Sequence, residues 1–200
     1  MKKCLLGMAI FLFLLPLNGG SGKEETVKED FSGGSPGKDW KVSAESWKVA
    51  EGELRGKGDG FLGFTKTLSG DFLLKFDAQT EEKANLEVTL LDKTGKKALY
   101  TFAFLGKYHP VLYGPKSAIL KYDRFVSVSS RMWIYPGRFF SFEVRKAKNQ
   151  LQMFLNKDLG PAFTDDDPPA ELDEYLLRIN FAPEGKRDGV RIDNVVITWG

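Results

Sequence analysis

Apolar side chains recur in this chain at every second position, and that period dictates pleated strands rather than helices. Across residues 71–79, Phe72, Leu74, Phe76 and Ala78 share one face, while Leu73, Lys75, Asp77 and Gln79 share the other. The next segment puts Leu86, Val88 and Leu90 on the core side and Asn85, Glu87 and Thr89 opposite. Later come Phe140, Phe142 and Val144, then Leu151, Met153 and Leu155, then Tyr175, Leu177, Ile179 and Phe181. Most of the 16 Phe are thereby assigned to packing, so aromatic content alone does not mark a ligand platform. One polar face per strand points to antiparallel sheets solvated on one side.

Strands are expected near 61–66, 71–79, 85–91, 98–105, 117–122, 125–134, 139–146, 150–156, 175–181 and 190–198. Residues 47–49 and 54–56 flank Glu51-Gly52 and read as a tight hairpin. No segment holds a helical period, and no internal repeat suggests a propeller. Short strands separated by turn residues predict an all-β fold, a jelly-roll β-sandwich of two antiparallel sheets. The 200 residues suffice for one such domain without disulfide or metal staples.

The ends of the chain read differently. Lys2 and Lys3 precede an apolar run from 5 to 17, and Asn18-Gly19-Gly20-Ser21-Gly22 follows with small residues, so residues 1–22 read as a secretory signal peptide. The run is shorter than the roughly 20 residues a spanning helix needs, so no stable membrane span is expected after cleavage. The expected location is secreted or periplasmic. Residues 23–38, rich in Gly, Ser, Glu and Lys, read as a flexible polar lead-in, and the domain proper is expected over 39–200. The single cysteine, Cys4, excludes an intrachain disulfide and leaves with the signal. Losing Lys2 and Lys3 also leaves 27 basic against 27 acidic residues, a balance that argues against nucleic acid and fits a neutral ligand.

Residues 46–58, Ser-Trp-Lys-Val-Ala-Glu-Gly-Glu-Leu-Arg-Gly-Lys-Gly, followed by Gly70-Asp71-Phe72-Leu73-Leu74-Lys75-Phe76, resemble the opening of the 3-keto-disaccharide hydrolase domain family. Tyr135-Pro136-Gly137-Arg138 before Phe140-Ser141-Phe142-Glu143-Val144, and then Leu151-Gln152-Met153-Phe154-Leu155-Asn156, are similar to that family's back strands. Ile192-Asp193-Asn194-Val195-Val196-Ile197 resembles its closing strand. The resemblance spans residues 40–199 and implies a concanavalin A-like sandwich whose concave sheet engages a glycan or glycoside. It also implies hydrolysis of a glycosidic bond, beside which a lectin-like binding module and an adhesion domain stand as alternatives. Two segments depart from the family: Ala84-Asn85-Leu86-Glu87-Val88 stands where Asn-Ser-Gly is usual, and residues 99–105 are apolar where an acidic strand is usual.

The facing patterns leave two registers open if 71–79 and 85–91 pair as a hairpin. One sets Asp77 opposite Glu87, two carboxylates suited to acid and base roles at a glycosidic bond. The other sets Lys75 opposite Glu87, an ordinary cross-strand ion pair. Aromatic faces stack on sugar rings while Lys, His and Arg bind hydroxyls, so Lys75, Tyr108, His109, Tyr113, Arg131, Trp133 and Tyr135 are the candidate carbohydrate contacts. Burial preference favours Met132 and Ile134 inward and Trp133 outward. Glu171-Leu172-Asp173-Glu174-Tyr175 supplies two of the three acids of a laminarinase-type strand but follows Pro168-Pro169, so a loop is expected there. No other cofactor is required; Asp165, Asp167 and Asp173, in a stretch dense in carboxylates, could hold Ca²⁺, with a solvated acidic loop as the alternative.

Overall fold

The computed structural model describes residues 23–43, 45–81, 83–106, 116–129, 132–183 and 189–200. The strands in chain order are β1 (Glu25–Glu29), β2 (Trp40–Val42), β3 (Lys48–Ala50), β4 (Glu53–Lys57) and β5 (Gly60–Phe64). They continue with β6 (Phe72–Thr80), β7 (Ala84–Asp92), β8 (Ala98–Leu105), β9 (Ser117–Lys121) and β10 (Arg124–Ser129). The last five are β11 (Phe139–Ala147), β12 (Gln150–Leu155), β13 (Asp158–Thr164), β14 (Tyr175–Pro183) and β15 (Gly189–Trp199). One turn of 3-10 helix, Ala170–Asp173, is the single helical element among the described residues.

These strands form two antiparallel sheets, as the alternation predicts. The eight-stranded sheet runs β13-β12-β11-β6-β15-β4-β3, with β1 also paired to β15; the seven-stranded sheet runs β10-β9-β8-β7-β14-β5-β2. The core between them takes the residues that period two assigned to it, including Phe72, Leu74, Phe76, Leu86, Val88, Phe142, Leu177 and Ile179. Phe76 stacks on Phe142 at 4.8 Å, and Phe104 meets the edge of Phe142 at the same separation, so the two sheets interlock through aromatic rings. Between β3 and β4, Glu51 and Gly52 both have positive φ (56° and 76°), the type I′ geometry of a two-residue hairpin.

Two expectations are corrected. The polar segment 23–38 is built into the fold: β1 pairs residue for residue with the last five residues of β15 up to Trp199. Beyond it, Glu29 accepts hydrogen bonds from the amides of Phe31 (2.8 Å) and Gly37 (2.6 Å), and Phe31 is wholly buried. The segments 71–79 and 85–91 are also not a paired hairpin. β6 lies between β11 and β15, whereas β7 lies between β14 and β8 in the other sheet. Consecutive strands cross from one sheet to the other, so neither register across them exists.

The region expected as one strand over 125–134 is shorter, ending at Ser129 in β10. β13 corresponds to none of the expected strands, and it contains Gly160-Pro161. It survives as an edge strand with a register shift opposite those residues, where a missing N–H is tolerated.

Candidate functional site

Because β6 and β7 belong to different sheets, the two carboxylates proposed as a pair face away from each other. Phe76 and Ala78 point into the core from β6, so Asp77 points out of the eight-stranded sheet; Leu86 and Val88 point in from β7, so Glu87 points out of the seven-stranded sheet. An Asp77–Glu87 acid–base pair is therefore excluded by the topology. Lys75 does not meet Glu87 either, and its amine lies 3.2 Å from Glu143 on β11.

The outer face of the seven-stranded sheet is paved with small side chains at its centre. Strand register aligns Gly63, Arg178, Thr89 and Thr101 in one row and Phe61, Asn180, Glu87, Ala103 and Ala118 in the next. Gly, Ala and Thr beside longer residues leave a shallow floor along which a ligand can approach the backbone. Glu87 stands in that floor half-buried, directly opposite Asn180 on one side and Ala103 on the other. The Asn180 amide donates to the Thr89 hydroxyl at 2.7 Å, and the Arg178 guanidinium lies 4.4 Å from the centre of the Phe61 ring. These contacts hold donor and acceptor groups in fixed directions beside an aromatic edge.

Trp133 belongs to the same side. Ser117 donates its amide to the carbonyl of Met132 at 3.0 Å, and Ile134 donates to that of Leu105 at 3.5 Å, so residues 132–134 run beside the ends of β8 and β9. Met132 and Ile134 are buried, as burial preference required, which turns Trp133 outward between them. Its ring meets Tyr135 edge-on at 5.8 Å, and Tyr135 is 46% exposed. Tyr108, His109, Tyr113 and Arg131 lie outside the described residues.

The opposite outer face carries Lys75 and Asp77. Asp77 accepts from the Ser141 hydroxyl at 2.5 Å and from the Asn194 amide at 3.0 Å. Reading the sequence missed Ser141 and Asn194 as partners because they come from β11 and β15, distant in sequence and adjacent only through the topology. Asn194 has φ of 51° inside a register shift of β15, the kind of bulge that re-aims a side chain.

Much of the acidic segment is engaged with partners inside the protein. Asp165 is buried and accepts from the Tyr100 hydroxyl and the Lys121 amine, and its Oδ1 also takes the Asp167 amide at 3.0 Å. Burial would raise the Asp165 carboxyl, but the hydrogen bonds from Lys121, Tyr100 and the Asp167 amide outweigh it and hold the group below its ordinary range. Glu171 pairs with Lys97 at 2.6 Å, and Asp173 closes the 3-10 turn. Among the described residues no three His, Cys, Asp or Glu come together as ligands. Of the Ca²⁺ candidates Asp165, Asp167 and Asp173, Asp165 is already engaged in an internal ion pair with Lys121. Glu171 and Asp173 are likewise in a turn ahead of β14 rather than on a strand, so the laminarinase-type arrangement does not form.

No family model matches the chain, and no curated protein matches it in sequence. Solved structures do match in fold. The Emp47p carbohydrate recognition domain is 10% identical with a TM-score of 0.67, over 91% of this chain and 99% of that one. SCLam, a non-specific endo-β-1,3(4)-glucanase of family GH16, is 13% identical with a TM-score of 0.64, over 88% and 91%. The carbohydrate-binding module CBM66 of Bacillus subtilis is 16% identical with a TM-score of 0.56, over 78% and 93%. Identities this low speak for the fold alone, and the fold is the concanavalin A-like jelly roll of lectins and glucanases.

Proposed function

We propose that this chain is an exported carbohydrate-binding domain whose ligand lies across the outer face of the seven-stranded sheet. The observation that carries the reading is Glu87, half-buried in a floor of Gly, Ala and Thr, with Asn180, Thr89 and Arg178 around it and Trp133 turned to the same side. A sugar offers hydroxyls that donate and accept at once, together with an apolar ring face. Glu87 supplies acceptors, Asn180 and Arg178 supply donors, and Trp133 supplies a surface for stacking. The fold neighbours named for binding or cleaving carbohydrate agree with this class of ligand.

Binding is favoured over hydrolysis by one count. Among the described strand residues facing outward from this sheet, Glu87 is the one carboxylate, whereas two-carboxylate glycoside hydrolysis needs a pair some 5–10 Å apart. The resemblance to 3-keto-disaccharide hydrolases supports a ligand class rather than a reaction. The balance of 27 acidic and 27 basic residues beyond position 22 suits a neutral glycan.

The test is a glycan array followed by calorimetry on the best ligand, beside an assay for sugar released from 3-keto-glycosides. Glu87→Ala and Trp133→Ala are expected to weaken binding at least tenfold with the fold retained. Unchanged affinity in both variants would overturn the site, and release of free sugar by the parent chain would replace binding with catalysis.

A further inference from the structure

We infer that the outer face of the eight-stranded sheet holds a second and separate site, for an uncharged hydroxyl-rich ligand such as a sugar unit, centred on Asp77. A cavity of about 640 Å³ opens there between β6, β11, β12 and β15, and Asp77, Ser141, Glu143, Phe154 and Asn194 line it. This inference does not depend on the reading of the opposite face.

Two of the three cationic side chains lining the cavity, Lys75 and Arg145, are paired with Glu143 before any ligand arrives, and Lys157 is the third. Glu143 is held between Lys75, at 3.2 Å, and the Arg145 guanidinium, which in turn lies 4.7 Å from the centre of the Phe154 ring. Asp77 is different: its hydrogen-bond partners are the neutral donors Ser141 and Asn194, one on each carboxylate oxygen. An ionised carboxylate offers about four acceptor directions, so each oxygen keeps room for a further donor. Hydroxyl groups fill that role without bringing charge.

Two features hold this arrangement in place. Asn194 reaches Asp77 because the β15 bulge turns it out of the ladder, and its own amide donates to Asp193 at 2.7 Å, so the bulge is tied down on both sides. Ser141 is fixed by Asn156, whose side-chain oxygen accepts the Ser141 amide at 3.0 Å. A site whose donors are set beforehand loses less on binding than one that must order them. A cation is the competing occupant, since Asp193 stands directly opposite Asp77 across β15 and β6. The described residues supply no third acidic or histidine ligand to complete such a site.

Amide chemical-shift mapping of the full chain with cellohexaose and laminarihexaose, with and without Ca²⁺, tests this. Shifts at Ser141, Glu143 and Asn194 that titrate independently of any at Glu87 and Asn180 are the expected result. Asn194→Ala and Ser141→Ala should each weaken that set at least fivefold while leaving the Glu87 set unmoved. Shifts confined to the Glu87 face overturn the second site and leave the proposed function standing; shifts confined to the Asp77 face support it and move the proposed function. No shift at Ser141 or Asn194 with either sugar, or shifts there that require Ca²⁺, overturns it.

Discussion

The amine of Lys121 lies 2.8 Å from the buried carboxylate of Asp165, and the pair joins the two sheets. Lys121 ends β9 in the seven-stranded sheet, whereas Asp165 directly follows β13 in the eight-stranded one. Tyr100, buried on β8, adds its hydroxyl to the same carboxylate, and burial followed by that charge drives the phenol's pKa upward, so it stays a donor. Three elements are thus held at one acidic group.

Acid should loosen this latch. The Asp165 carboxyl is held below its ordinary value of 3.8, so its contribution is fully present above that value. The contribution disappears as pH falls through the lower, folded value. Thermal unfolding at pH 7, 5 and 3 should show the parent chain losing more stability between pH 5 and 3 than Asp165→Asn loses. Asp165→Ala at pH 7 should cost about 3 kcal/mol, because Tyr100 and Lys121 are left without their acceptor. Equal acid sensitivity in the two proteins would show that the pair adds nothing.

The indole of Trp47 is wedged between two glycines. A Cβ at Gly56 or Gly60 would fall inside van der Waals contact of that ring, which is 3% exposed. Gly56→Ala and Gly60→Ala should each destabilise by about 1–3 kcal/mol through overpacking. Gly33→Ala, with its nearest neighbour 4.0 Å away, should change denaturant midpoints little. Three equal midpoints would show the ring moving freely aside.

How far the fold can be read from the chain depends on how each strand is buried. β6, β7, β11, β12 and β14 each bury one face, so Phe72 to Ala78 and Tyr175 to Phe181 announce themselves by period two. β1 gives no such signal, because Glu25, Thr26, Lys28 and Val27 hold to β15 through backbone pairing with little buried surface. The same limit governs the sites. Period two assigned Asp77 and Glu87 to outer faces correctly, but it cannot say which sheet each strand joins. A strand pair adjacent in sequence was therefore read as adjacent in space. Asn194 and Asn180 came to the sites only through that long-range pairing.

The N-terminal segment supplies the next expectation. Phe31, two residues past the end of β1, is wholly buried with φ of 55°. Phe31→Ala should cost about 3–5 kcal/mol, as for other buried aromatic truncations. A chain starting at Asp39 should lose at least as much, having also exposed the β15 edge from Val195 to Trp199. Hydrogen exchange is the direct measure: protection of those β15 amides that depend on β1 should fall selectively in the shortened chain. Unchanged protection would restore the segment to a loose tether.

The separation of Asp77 from Glu87 makes the last prediction, and it discriminates between a sandwich and a hairpin. Packed sheets lie about 10 Å apart, and outward side chains from the two sheets diverge further, so the two carboxylates share no partner. Sites this far apart combine additively within about 0.5 kcal/mol. A double-mutant cycle of Asp77→Asn and Glu87→Gln, read by denaturant unfolding, should therefore give a coupling no larger than that at any pH from 4 to 8. Two carboxylates facing each other across a hairpin would instead couple, and more strongly as both ionise, so a coupling that grows with pH would reject the strand order. Asp77 should couple to Asn194 on the neighbouring strand β15, which touches it at 3.0 Å, and that second cycle shows that the method can detect a real contact.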